Sequence, residues 1–482
     1  MNKDTTSGAI QAEDLQRYGE AFRADRANRV AANAAVSEGV LKAATGYEGA
    51  RSLLREFSVD LKQGSVTNQE HSGRCWMFAS LNVLRYEVIH RWKLEDFEFS
   101  ETYLFFWDKM EKANAYLENV LATLDRPSDD RLVQILNESP ADDGGWWEMF
   151  ANLVNKYGLV PKSAYPESAN SRDSGDFNLY LNKKLRQDAI ELRRKKAAGA
   201  GMDELRELKT RDMETVYRIC AIALGEPPAT FDFSARVKGD EDEGAKGSDS
   251  KKAAEGDSAP GKTQGESGRD ERVQIREFGI TPMDFYRKYV PVDVNDYVTL
   301  CNSPMEATPF NRHYQIAYVN NVAEDGNLNF VNVPLEVLRK AVTDQISAGH
   351  PTWFACDCDQ FSLRKAGIFD RGTVQVDQLF GTDFSIEKGD GLEYGDFPSN
   401  HAMTITGVNL DKEGRPDRWK VENSWGKANG VDGYYVASAE WFDQFVSEAI
   451  VRKEFLDQET LKALASDPVV LQPWQPLTLC SD

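Results

Sequence analysis

Cysteine is scarce in this chain, long apolar runs are missing and basic charge is in deficit, and each shortage closes off a class of protein. The six cysteines, at 75, 220, 301, 356, 358 and 480, are too few for 482 residues to form the dense framework of a secreted scaffold. They read as reduced thiols. Cys356 and Cys358 stand one residue apart with no second Cys/His pair nearby, a spacing that does not suit structural zinc, so buried strand thiols are expected. No window approaches the roughly 18 uninterrupted apolar residues of a membrane span. The opening stretch MNKDTTSGAIQAEDLQRYGEAF has no apolar run resembling a signal peptide. With 57 basic against 78 acidic residues, the net charge of −21 repels phosphate backbones and anionic headgroups. The expectation is a cytoplasmic protein with neither nucleic acid nor membrane as partner. HExxH and GxSxG are both missing, which removes the usual zinc and serine peptidase readings.

What is present is length and a few chemically demanding residues. At 482 residues the chain predicts roughly two to four domains. A helix-prone, Ala-rich and charged arm gives way to a Gly/Asn turn region from Gly64 to Gly73. Then CWMFASLNVLRYEVIH sets Met77, Leu81, Leu84 and Val88 at helical spacing, and the preceding SerGlyArg turn opens the helix at Cys75. The positive end of a helix favours the thiolate, the nucleophilic form of cysteine. Alone, such a cysteine is more often a small packed residue. Gln69 in TNQEHSGRCW offers a side-chain amide to a developing oxyanion beside the Cys75 N–H, although an ordinary turn glutamine would look the same. His401 in SNHAMTITGV heads an alternating apolar stretch, so its imidazole emerges at a strand start. Asn423 in VENSWG ends another apolar strand, where its carboxamide can fix the imidazole tautomer while Trp425 shields the bond.

Taken in order, NQxxxxxCW, NHAM and ENSWG resemble the papain family of cysteine peptidases. DDGGWWEMFANLVNKYGLVPKSAYPE is similar to the family's Gly-Gly substrate-backbone segment, with Gly144 and Gly145 as the matching pair, and AGHPTWFACDCDQFSLRKAGIFD is similar to the opening of its β-rich lobe. Cys75 and His401 are 326 residues apart, against about 130 to 150 in the common pattern. The extra material resembles the bleomycin hydrolase and bacterial aminopeptidase C branch, of which TNQEHSGRCWMFASLN is typical. The resemblance implies an α+β, papain-like two-lobe fold with a large helical insertion between the lobes. The corresponding division is an arm at 1–63, a helical lobe with the nucleophile at 64–167, a mainly helical insertion at 168–345, and a β-rich lobe with the C-terminal tail at 346–482. It further implies a thiol aminopeptidase acting on peptides with a free N-terminus, a homohexamer, no metal or organic cofactor, and a tail in the cleft whose terminal Asp482 carboxylate receives the substrate amine.

Three other readings compete with this one. If the atypical tail, LQPWQPLTLCSD, leaves the cleft open, the same site is an endopeptidase. A papain-fold scaffold without catalysis is disfavoured by the joint presence of Gln69, Cys75, His401 and Asn423, which packing alone does not require. A nucleotidase rests on GDSAPGKT, Gly256 to Thr263, which satisfies GxxxxGK(S/T), but no apolar strand precedes it and no helix follows. That stretch lies in 236–272, rich in Gly, Ser and opposed charges, which is expected to hang as a flexible loop between the strand-like FDFSAR and VQIREF.

Overall fold

The computed structural model describes residues 8–238 and 274–478. All but the first three residues of the segment 236–272, including GDSAPGKT, and the last four residues of the tail lie outside the described residues.

Two hydrophobic cores meet at the cleft. The first is helical and gathers around Cys75–Arg91, in which nearly every side chain is buried and not just the stripe through Met77, Leu81, Leu84 and Val88. A helix apolar on all sides is one that neighbours cover on all sides. Helices Glu101–Ala122 and Trp147–Tyr157 lie against it. Ser100 caps the former by accepting from the Tyr103 amide, which satisfies one of the donors a helix start leaves over. Two long helices, Gly175–Ala197 and Met202–Leu224, are separated by AlaGlyAlaGly, where Gly199 takes φ +96°, a value that favours glycine. Their apolar residues Leu181, Leu185, Leu192, Leu205, Val216 and Leu224 enter the same core, so these helices thicken the first lobe instead of closing a core of their own.

The second core lies on a twelve-stranded sheet. The strand His401–Leu410 sits inside it, antiparallel to Thr352–Cys356 on one side and Pro416–Glu422 on the other. It is buried from His401 through Val408, because one face meets the Cys75 helix, where the Thr404 hydroxyl donates to the Ala79 carbonyl at 3.1 Å. The segment 168–345, expected to be mainly helical, also supplies three strands to this sheet: Tyr297–Cys301, Arg312–Ile316 and Leu328–Asn332. Tyr297–Cys301 is buried at every position, and a short run apolar on both faces carries no alternation to mark it as a strand. Phe231–Arg236 and Gln274–Ile280 pair as an antiparallel ribbon. At the N-terminus, Ala12–Ala24 and Arg26–Glu38 bury no side chain and leave Leu15, Phe22 and Val36 exposed. Among the described residues, no helix is long and apolar enough to cross a membrane.

Candidate active site

The turn before Cys75 is held by buried charge. Arg74 is fully buried; its Nε donates to Ser72 Oγ at 2.9 Å, and its Nη2 to Glu167 Oε2 at 2.9 Å and to the Ser171 carbonyl at 2.6 Å. Its guanidinium also stacks over Phe78 and Phe105. Burial opposes the Glu167 charge, but Arg74 and Lys162 outweigh it and hold the carboxyl down at about 2. Asp143 plays the same part on the other flank. It accepts from the Gly73 amide at 2.9 Å, from Lys109 Nζ at 2.7 Å, from Asn178 Nδ2 at 2.7 Å and from Ser174 Oγ. Burial opposes its charge too, and Lys109 with these donors keeps the carboxyl well below the ordinary range. The Asp143 carbonyl receives the Trp76 indole N–H at 2.7 Å, and a Cβ on Gly145 would stand 2.6 Å from that indole. Gly145 is thus required by close approach, whereas Gly144 is exposed and has open space around it.

On the opposite wall, His401 opens its strand and pairs with Cys356. Its Nε2 lies 2.9 Å from Asn423 Oδ1, which also accepts the Ser424 amide at 2.8 Å. An atom that receives a backbone N–H is an acceptor, so His401 carries its proton on Nε2 and keeps Nδ1 free for the cleft. Trp425 stacks on the imidazole with centroids 4.6 Å apart at 28°. Asn423 itself is fully buried behind the ring.

One cavity of about 180 Å³ brings Gln69, Cys75, Gly144, Gly145 and His401 together. Gln69 is oriented from across the cleft: its Oε1 accepts from Ser424 Oγ at 2.6 Å, its backbone N–H donates to the Ser424 carbonyl at 2.8 Å, and its Nε2 donates to the Ser72 carbonyl at 2.7 Å. One Nε2 proton remains for an oxyanion. Burial pushes the Cys75 thiol up, against the backbone N–H groups of Ala402 and Trp76, which favour the thiolate. Burial likewise pulls the His401 imidazole down to about 4, against the Asn423 bond. Burial thus disfavours both the thiolate and the imidazolium when either stands alone in this site. The arrangement can therefore attack a carbonyl, hold its oxyanion and return a proton to a leaving amine.

Ser424 is a member of the site that the residue reading missed, although it lies inside the ENSWG motif. Also unforeseen is the buried pair of Arg85 and Glu422 at 2.7 Å, which ties the Cys75 helix to the strand preceding Asn423. Sequence carried no signal for it, since the partners lie far apart in the chain. Cys356 and Cys358 are buried free thiols, and the described cysteines form no disulfide. No group of three or more metal-ligating side chains occurs among the described residues. Toward the C-terminus, Pro473, Trp474 and Thr478 line a second cavity of about 370 Å³ that shares Gly144 and Trp146 with the first. The Arg131 guanidinium lies 4.6 Å over the Trp474 ring. Asp482, expected to anchor the substrate amine, is outside the described residues.

The chain is 38% identical over 451 residues to aminopeptidase C of Lactobacillus delbrueckii subsp. lactis, covering 93% of each protein. It is 37% identical to aminopeptidase C of Listeria monocytogenes serovar 1/2a, covering 96% of this chain and 97% of the relative. A crystal structure of pepw from Lactobacillus rhamnosis HN001 superposes with a TM-score of 0.89 at 36% identity, over 98% of this chain and all of that one. Residues 9–251 and 265–478 match the Peptidase C1-like family. With nearly its whole length matched and its fold shared, the chain belongs to the Peptidase C1-like family.

Proposed function

We propose that this protein is a thiol aminopeptidase that removes N-terminal residues from peptides through an acyl-enzyme on Cys75. The observation that carries the reading is the single cavity shared by Cys75, His401 and Gln69, with His401 Nε2 committed to Asn423. In this mechanism the Cys75 thiolate attacks the scissile carbonyl, and Gln69 Nε2 and the Cys75 N–H receive the oxyanion. His401 protonates the leaving amine, and water activated by the same imidazole resolves the thioester. Gly144 and Gly145 bind the substrate backbone along the opposite wall.

Exopeptidase action is supported by two things: Trp474 and Thr478 line the cavity adjoining the cleft, and the relatives named above are aminopeptidases. The carboxylate of Asp482 would pair with the substrate's α-ammonium and block a longer chain. Cytoplasmic residence is supported by the free thiols. Assembly into a homohexamer is supported by the apolar side chains of the N-terminal helices, Leu15, Phe22 and Val36, which stand exposed among the described residues.

The test is hydrolysis of matched free-amine and N-blocked peptides by the full chain and by a chain ending at Thr478. The full chain is expected to cut only free-amine peptides at their first bond, and the truncated one to accept both. Identical cutting patterns would remove the tail from specificity.

A further inference from the structure

The turn that leaves the strand Thr352–Cys356 touches His401 by two routes. Asp359 is the branch point: one carboxylate oxygen accepts from Arg364 Nη2, and the other accepts from Asn400 Nδ2 at 3.4 Å. Asn400 also donates to Asp357 Oδ1 at 2.8 Å and accepts the Cys358 amide at 2.9 Å. It lines the catalytic cavity and immediately precedes His401. By the second route, the Arg364 guanidinium lies 4.8 Å over the Trp425 ring, which also stacks on the imidazole and meets Tyr435 edge-on. A cation held on an aromatic face keeps that ring in place, so Arg364 steadies the plate that covers His401. The two side chains are solvated, at 55% exposure for Arg364 and 61% for Asp359.

Resting on the proposed role of His401 as the proton carrier, we infer that Asp359 and Arg364 are positioning residues that set the proton affinity of His401 in opposite directions. Among the described residues, the titratable and charged groups around the imidazole are Cys75 on its helix, Cys356 on the adjacent strand, Asp143 across the cavity, Asp357, Cys358, Asp359 and Arg364 in the turn, and Tyr435 against Trp425. Of these, Arg364 disfavours the imidazolium and Asp359 favours it. Each also screens the other through their ion pair, so removing one unmasks its partner. The two effects then add in sign: loss of Arg364 raises the imidazole's affinity, and loss of Asp359 lowers it.

The experiment measures kcat/KM and the rate of Cys75 alkylation by iodoacetamide against pH for Arg364→Gln, Asp359→Asn, Arg364→Lys and the double variant. The alkaline limb, where the imidazolium loses its proton, is expected to move up by about half a pH unit in Arg364→Gln and down by about as much in Asp359→Asn, the modest size reflecting solvent screening. Arg364→Lys keeps the wild-type limb, and the double variant returns to it. Limbs that coincide with wild type in both single variants, or that move in the same direction, overturn the inference. Alkylation of Cys75 no faster than that of the other thiols would instead overturn the proposed catalytic role, which separates the two failures.

Discussion

The two walls of the cleft are secured in opposite ways. Around Cys75, charges with little exposure close on one another: Arg74 with Glu167, and Lys109 with Asp143. Around His401, neutral hydrogen bonds and stacked rings do the work, and the ion pair of the neighbouring turn, Asp359 with Arg364, stands in solvent. The position of Cys75 is thus built into the folding of the helical lobe, because a buried charge that loses its partner is expensive. The imidazole is held by contacts that can be altered singly. Damage to the Cys75 wall should therefore appear first as lost stability, and damage to the His401 wall as altered chemistry.

Arg74→Ala tests this most severely. Leaving Glu167 buried beside Lys162 alone should cost about 3 to 5 kcal/mol in urea unfolding, and a loss below about 1 kcal/mol would erase the contrast between the walls. Gln69→Ala stands where the walls touch. Its expected effect is a kcat lower by about 10²- to 10³-fold with little change in KM, and an unchanged kcat removes the amide from oxyanion binding. Ser424→Ala deletes the hydroxyl that orients Gln69, so kcat should fall by about tenfold, the equivalent of one lost hydrogen bond, while thermal unfolding shifts little. A large drop in melting temperature with unaltered kcat would reassign Ser424 to the fold.

The smallest effect probes an exception to the pairing rule. Glu148 on the helical lobe and Glu448 on the sheet interact across the boundary, and no cation among the described residues pairs with either. Burial pushes the Glu148 carboxyl up to about 7, against a bond from the Thr299 hydroxyl, and burial together with Glu148 pushes Glu448 up to about 8. Because the folded state holds these protons more tightly than the unfolded chain, stability falls as pH rises from the ordinary glutamate value of 4.5 through 8. Glu448→Gln should flatten that decline, read as urea midpoints at a series of pH values across the window. A decline as steep as in wild type would show that Glu448 ionises without strain.

Much of the site was legible because its signals are local. Cys75 does begin a helix, His401 does begin a strand, and Asn423 directly follows one. The AlaGlyAlaGly break separates two long helices, and FDFSAR pairs with the stretch beginning at Gln274. Less legible was the sheet: Tyr297–Cys301 has no alternation, since both its faces are covered, and its neighbours in the sheet include Val446–Arg452, far along the chain. The Cys75 helix likewise read as amphipathic, although it is enclosed on nearly every side.

By itself the sequence determined which chemical groups are available, in what order, and at which helix and strand starts they stand, because turn residues and apolar spacing act over a few neighbours. Only the tertiary structure decided that Ser424 orients Gln69, that Glu167 neutralises Arg74, that Glu422 meets Arg85, and that Arg364 covers Trp425. Each of those pairings joins residues tens to hundreds of positions apart, and a side chain's partner at such range is chosen by how the two cores pack, which no local pattern encodes.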